Sequence, residues 1–269
     1  LDRTVPVALH QLALAGMQPA RMITKGVSGT LVAGRPHTWW AIAGSPGAGS
    51  YDTTLNGATL TGNSVAGQIP RTNPGSGEAR IASVEFMTLQ TGVLIIADRL
   101  WQNRIANSTG AQSITSPAWP ARDVAGSTNG DGVLLGLELS TASSAGTPTA
   151  AITYTNQANT GSRTANLLDA FTATTAVGSF LRYDLQAGDT GVRSVQSINL
   201  SATLTGGVCN IVAYRPLLTL PLTANIPYSK DALTSAFPKV YDGAVLFFIF
   251  VPSTTTTTTL VGSYAESQG

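Results

Sequence analysis

Any hydrolytic, metal or nucleophilic chemistry in this chain of 269 residues would have to start from His10, His37, Cys209 and the aspartates Asp98, Asp123, Asp131, Asp184 and Asp189. A zinc-protease helix needs two histidines on adjacent turns, and the only two here stand far apart in sequence. No G-x-S-x-G elbow surrounds a serine, so a His-dependent triad has no nucleophile to assemble around. The glycines Gly44, Gly47 and Gly49 lack the lysine and the preceding apolar strand of a phosphate loop and read as flexible loop. One cysteine excludes an intrachain disulfide and a multi-thiolate zinc site, and its setting, VCNIVAY, suits a small buried apolar residue.

Paired carboxylates are the remaining route, since glycosidases set two acids across a cleft. Asp98 beside Arg99 and Asp123 beside Arg122 read instead as strand-end charges. Asp131 in NGDG and Asp189 in AGDTG read as turn residues whose carboxylates bond nearby backbone amides. The expectation is a chain with no catalytic residue, no cofactor and no metal, and so not an enzyme. Aromatics offer a different chemistry, stacking on sugars or anchoring an interface. Trp39 and Trp40, if extended, point to opposite faces, so at most one is core and the other is free for a partner. Trp119, between Pro117 and Pro120, reads as a structural plug. The interface candidates are Trp39 and Trp40 together with His10 and Leu14.

The elements that must position these residues are short strands. Val133, Leu135, Leu137 and Leu139 in GVLLGLEL keep a period of two. Ile152 and Tyr154 repeat it, as do Leu181, Tyr183 and Leu185, and then Val208, Val212 and Tyr214 around polar Asn210. RIASVEF and VLIIADRL add further strand signals, the second an apolar run ending in a charged pair. Gly-containing turns separate the pieces and no long amphipathic helix intervenes. This predicts an all-β fold, an antiparallel β-sandwich that can take jelly-roll form, with a closed barrel as the alternative.

Organisation follows from the same patterns. Residues 1–28 read as an N-terminal arm whose segment Val5 to Leu14 forms a short helix between Pro6 and Gly16. Residues 29–222 carry the sandwich, with a long Gly-, Pro- and Ser-rich loop region at 44–78. Residues 223–269 form a C-terminal extension. In it Ser229 to Phe237 suits a short helix, and the apolar VLFFIFV strand pairs with a strand running from the threonines Thr254 to Thr259 on to Tyr264. Internal packing is favoured over a neighbouring subunit as the cover for VLFFIFV.

Composition bounds the partners. Charged residues make up 11% of the chain against the usual quarter, with 15 Lys plus Arg and 14 Asp plus Glu scattered along it. A surface so poor in charge does little to repel association, so much of it is expected to be covered by other subunits. Neither specific nucleic acid nor a membrane is an expected partner: the cations do not cluster, and no apolar run approaches a membrane span.

Between Thr91 and Leu222 a series of segments resembles a group of tailed-bacteriophage virion proteins. They are the DRLW-like strand end at Asp98 to Trp101, WPARD at Trp119 to Asp123, the YTN turn entry at Tyr154 to Asn156, LQAGDTGVRSVQSI at Leu185 to Ile198 and VAYRPL at Val212 to Leu217. The resemblance implies a structural component of a phage particle, assembled in the bacterial cytoplasm and partnered by the major capsid protein or neighbouring copies of itself as a homo-oligomer. A decoration or cement subunit bracing the head lattice is the leading expectation, and a tail or fibre module binding host glycan through Trp39 or Trp40 is the alternative.

Overall fold

A computed structural model describes residues 16–74, 78–232 and 237–269. Among these the chain is all-β, a sandwich of antiparallel sheets. The strands in order are β1 Arg21–Lys25, β2 His37–Thr38, β3 Gly44–Ser45, β4 Ala58–Thr59, β5 Ala79–Thr88, β6 Gly92–Arg104, β7 Gly110–Ser113, β8 Leu134–Thr141 and β9 Ala150–Asn156. They continue with β10 Arg163–Leu167, β11 Phe180–Asp184, β12 Val192–Leu200, β13 Val208–Leu222, β14 Tyr228–Asp231, β15 Lys239–Val240, β16 Leu246–Pro252 and β17 Leu260–Gln268. The expected helix at Val5 to Leu14 lies outside the described residues.

The larger sheet runs β2-β16-β6-β13-β8-β11-β10-β9-β12-β7, with β4 also on β6. The smaller runs β14-β5-β17-β1-β3, with β15 also on β5. The larger sheet folds back on itself where β10 and β11 share only two paired positions. Leu135, Leu137 and Leu139 of β8 and Ile211 of β13 thereby meet Ile152 and Tyr154 of β9 and Val195 and Ile198 of β12 in one core. The period of two read in β8, β9 and β11 is therefore the inward face of this first core. Cys209 is fully buried in it, and burial pushes its thiol up to about 12, as a packing residue requires.

The smaller sheet packs against another part of the same long strands. Ile23, Val84, Phe86, Leu260 and Tyr264 face Leu94 and Ile96 of β6, Leu218 and Leu220 of β13, and Leu246, Phe248 and Phe250 of β16. On the opposite face of β16, Phe247 and Ile249 are covered by Trp40, Tyr51, Leu60 and Val65 from the loop region. VLFFIFV is apolar throughout because both of its faces are internal. Its partner is not the C-terminal strand: β16 pairs with β6 and β2, whereas β17 pairs with β5 and β1. Thr254 to Thr259 cross between the two sheets without forming a strand, which corrects the expected hairpin. Their hydroxyls serve the crossing, as where Thr258 Oγ1 accepts the Leu89 amide at 3.0 Å. Ser229 to Asp231 likewise belong to a strand on the edge of β5, not to a helix, and 233–236 lie outside the described residues.

β6 and β13 unite both cores, and each carries one extra residue against the other, Leu100 in β6 and Leu217 in β13. The bulge at Leu100 changes which side chains face inward. Leu94, Ile96 and Asp98 share a face with Trp101, while Ile95, Ala97 and Arg99 take the other. The charged pair expected at a strand end is thus in mid-strand, and each member is fully buried on its own face. Asp98 lies 3.1 Å from Arg122 and accepts the Val245 amide at 2.9 Å. Burial lifts its carboxyl above the ordinary value even with Arg122 beside it. Arg99 donates to Glu138 of β8 at 2.6 Å and to Gln102 at 2.8 Å, and Thr38 donates to the other Glu138 oxygen.

A buried pair is cheap to replace whole and costly to break. Arg99→Met should therefore cost about 3–5 kcal/mol by leaving Glu138 buried without a counter-charge. Arg99→Met combined with Glu138→Leu should recover most of the loss, as read from urea midpoints. A double variant as unstable as the single one would contradict this account.

Candidate assembly surface

Trp39 and Trp40 alternate as extended residues must, and the structure covers both sides. Each is 1% exposed. Trp39 packs in the smaller-sheet core with its ring 5.5 Å from Phe250. Trp40 lies on the loop-covered face between Arg99, 4.5 Å from its ring, and the crossing backbone at Gly49 and Gly67. Its indole N–H donates to Ser50 O at 3.0 Å. The expectation that one of these indoles stays free for a partner is therefore corrected, because residues far along the chain cover the second face. His10 and Leu14 lie outside the described residues. Trp101 and Trp119 are buried 5.3 Å apart, and Trp119 donates to Val192 O at 2.6 Å, a plug as its flanking prolines suggested.

The aspartates are dispersed. Asp123 is no strand-end charge: it gathers the loop that follows it, accepting the amides of Ala125, Ser127, Gly130 and Asp131. Asp131 accepts the Thr190 hydroxyl at 2.6 Å, and Asp184 is exposed at the end of β11. Asp189 bonds side chains, not turn amides: Arg163 donates to both its oxygens, at 2.9 and 3.0 Å, alongside Tyr154 and Asn156. Arg163, opposing a smaller burial penalty, holds this carboxyl down to about 2. A groove of about 280 Å³ between the loops of Gly47 and Gly67, and one of about 240 Å³ at Tyr241 and Asp242, bring no two carboxylates together.

Nine charged side chains are buried among the described residues: Lys25, Arg71, Asp98, Arg99, Arg122, Asp123, Glu138, Arg215 and Glu266. Lys25 shows the pattern. It faces inward from β1 and donates to Ile42 O, Pro46 O and Gly47 O, and burial lowers its ammonium to about 8. A chain already poor in charge thus places nine of its charges inside, where they tie loops and sheets together.

The outer face of the smaller sheet carries few of the rest. Across it run two rows set by the strand register. Ser229, Glu85, Ser263 and Met22 form one, and Met87, Val261, Thr24 and Ser45 the other. Glu85 is the only charge in either row, the adjoining row of Asp231, Ser83 and Ala265 adds Asp231, and Met22 is 65% exposed. At the Thr88 end of the sheet three more large apolar side chains stand in solvent: Val27 (62%), Leu89 (51%) and Ile226 (57%). The Leu89 amide donates to Thr258 Oγ1, the Ser28 amide to Thr258 O and the Asn225 amide to Thr88 O, and these bonds hold the turns together. At the opposite end Arg80, Glu78 and Lys239 form an exposed ion-pair cluster. Several large apolar side chains exposed on one side of a sheet with a charged margin suit a contact site, and sequence reasoning missed them because register decides which residues share a row.

No protein-family model matches this chain, and a search of curated proteins finds no match. Among solved structures the chain is similar to the infectious bursal disease virus VP2 subviral particle, at 9% identity over 94% of this chain and 81% of that one, with a TM-score of 0.21. It is also similar to a structure of the infectious bursal disease virus Gx strain, at 8% identity, the same coverages and a TM-score of 0.16. Likeness at this level carries no weight for function.

His37 supplies a pH handle on this fold. It is 1% exposed, its Nε2 lies 2.9 Å from Val177 O, and burial lowers its pKa to about 4. The unfolded chain takes up this proton near pH 6.5, before the folded one does, so the histidine's contribution is intact above about pH 6.5 and is lost as pH falls toward 4. His37→Gln should flatten the stability profile across that window, measured as urea midpoint against pH. An unchanged slope would show that His37 does not titrate as its burial demands.

Proposed function

We propose that this protein is a structural subunit of a tailed-bacteriophage particle, a decoration or cement protein that braces the head shell by non-covalent contact. The observation that carries the reading is the outer face of the smaller sheet, where Met22 is exposed and Glu85 and Asp231 are the charges short of the ion-paired margin, together with its Thr88 end, where Val27, Leu89 and Ile226 stand in solvent. The resemblance of Thr91 to Leu222 to phage virion proteins supports the particle, and the scarcity of charge on this face supports contact with an extended lattice of subunits. Burial of apolar area at about 25 cal/mol per Å² is the source of holding energy, with no covalent chemistry required. The rival reading, a glycan-binding tail module, relied on a free indole at Trp39 or Trp40, and both are core residues.

The occupant of this face in the proposal is the shell protein of the head. Met22→Lys combined with Val261→Lys places two cations on adjacent rows without touching the core. The double variant should keep its melting temperature and lose roughly tenfold or more in affinity for heads assembled without this subunit, a change worth about 1.4 kcal/mol. Undiminished head binding by the folded variant, or binding of the wild type to tails and not to heads, would overturn the reading.

A further inference from the structure

The chain contains two Asn–Gly pairs, Asn56–Gly57 and Asn129–Gly130. An asparagine followed by glycine is the pairing most prone to self-modification, because no side chain hinders the glycine nitrogen from reaching the asparagine amide. The nitrogen gives up its proton and attacks Asn Cγ, a C–N bond forms, and the side-chain nitrogen leaves as ammonia. Water then opens the cyclic imide to aspartate or isoaspartate, so that NH is exchanged for O. Neither glycine can be replaced to avoid this. Gly57 has φ +75° and Gly130 φ +82°, and an added Cβ would lie 2.7 Å from Trp101 Nε1 or closer still to Val192 O.

The two loops are unrelated in position yet share one hydrogen-bond plan. In the first, Asp52 accepts the Thr54 amide at 3.0 Å and its hydroxyl at 2.9 Å, Thr54 Oγ1 accepts the Asn56 amide at 3.3 Å, and the second Asp52 oxygen accepts the Gly57 amide at 3.0 Å. In the second, Asp123 accepts the Ser127 amide at 2.7 Å and its hydroxyl at 2.6 Å, Ser127 Oγ accepts the Asn129 amide at 3.2 Å, and Asp123 Oδ2 accepts the Gly130 amide at 3.1 Å. Asp123 holds its charge firmly: although burial works against it, the Ser127 hydroxyl and the loop amides bring its carboxyl below the ordinary value. Both asparagine side chains are exposed.

We propose that Asn56 and Asn129 are latent deamidation sites and that Asp52 and Asp123 suppress the reaction by binding the attacking Gly57 and Gly130 amides. A carboxylate at the amide proton opposes formation of the anionic nitrogen that the attack requires, since like charges repel. The same bond fixes the peptide plane, so attack must wait for the loop to open.

The full chain, as wild type, Asp52→Ala and Asp123→Ala, is incubated warm at mildly alkaline pH, and deamidation at each asparagine is followed by peptide mass spectrometry with separation of isoaspartyl forms. Asp52→Ala should deamidate at Asn56 roughly tenfold faster than wild type, the effect expected from losing a charge-assisted hydrogen bond, with Asn129 unchanged. Asp123→Ala should show the reverse. Each untouched loop controls for general unfolding, so acceleration at both asparagines in one variant would overturn the local assignment. Unchanged rates would overturn it too, and slower rates would make the carboxylate a base that assists the attack. If Asp123→Ala does not fold, Asp123→Asn keeps the loop's shape without the charge and is read at Asn129, while Asp52→Ala tests the idea independently.

Discussion

Two sandwiches here are built on one pair of strands. β6 and β13 run side by side through the molecule, and a single face of β6 bears Leu94 and Ile96 in one core and Trp101 in the other. Pairing this long twists, and a twisted ribbon cannot present a flat face to two layers at once. The extra residues Leu100 and Leu217 absorb the mismatch. The cost of the arrangement is paid in charge: Asp98 falls between the two cores on one face and Arg99 on the other, and neither reaches water. Several neighbouring segments then answer one or other of these charges. Arg122 and the Val245 amide answer Asp98, while Glu138, Gln102 and the ring of Trp40 answer Arg99.

Charge directed inward has a consequence at the surface. Arg71 and Glu266 pair in the same buried manner at 2.9 Å, with the Tyr264 hydroxyl on Glu266. Ion pairs of this kind add little to stability compared with apolar packing, and this one joins segments 195 residues apart. What remains outside is largely Thr, Ser, Gly and Asn, with a few scattered charges and apolar side chains. An exterior with so few charges does little to repel or steer a partner, and it favours contact through matched shape and area. The outer face of the smaller sheet is the part of the molecule best suited to that use.

Much of the fold was legible because period-two alternation is a direct image of one buried face. Val133, Leu135, Leu137 and Leu139 declared themselves in this way, as did Ile152 and Tyr154. Where both faces are buried the alternation disappears, and reading becomes insecure. VLFFIFV was correctly placed in the interior, yet its partner was misjudged, since an apolar strand says nothing about which strand lies beside it. Trp39 and Trp40 misled for the opposite reason: alternation was right, but the inference that one side faces outward needed knowledge of the 40–68 loop. Asp123 reads as a strand-end charge and Asp189 as a turn carboxylate that bonds amides, yet it is Asp123 that gathers loop amides and Asp189 that binds an arginine 26 residues away.

By itself the order of residues determined an all-β body, its inward-facing rows, a cysteine that packs and a scarcity of charge, because these depend only on local spacing and composition. Tertiary structure alone decided where the charges went, which strands became neighbours and which apolar residues were left in water. Those outcomes rest on contacts between segments a hundred or more residues apart, such as Arg71 with Glu266 and Thr38 with Glu138. Such contacts are set by how sheets twist and stack over one another, and local spacing carries no record of them.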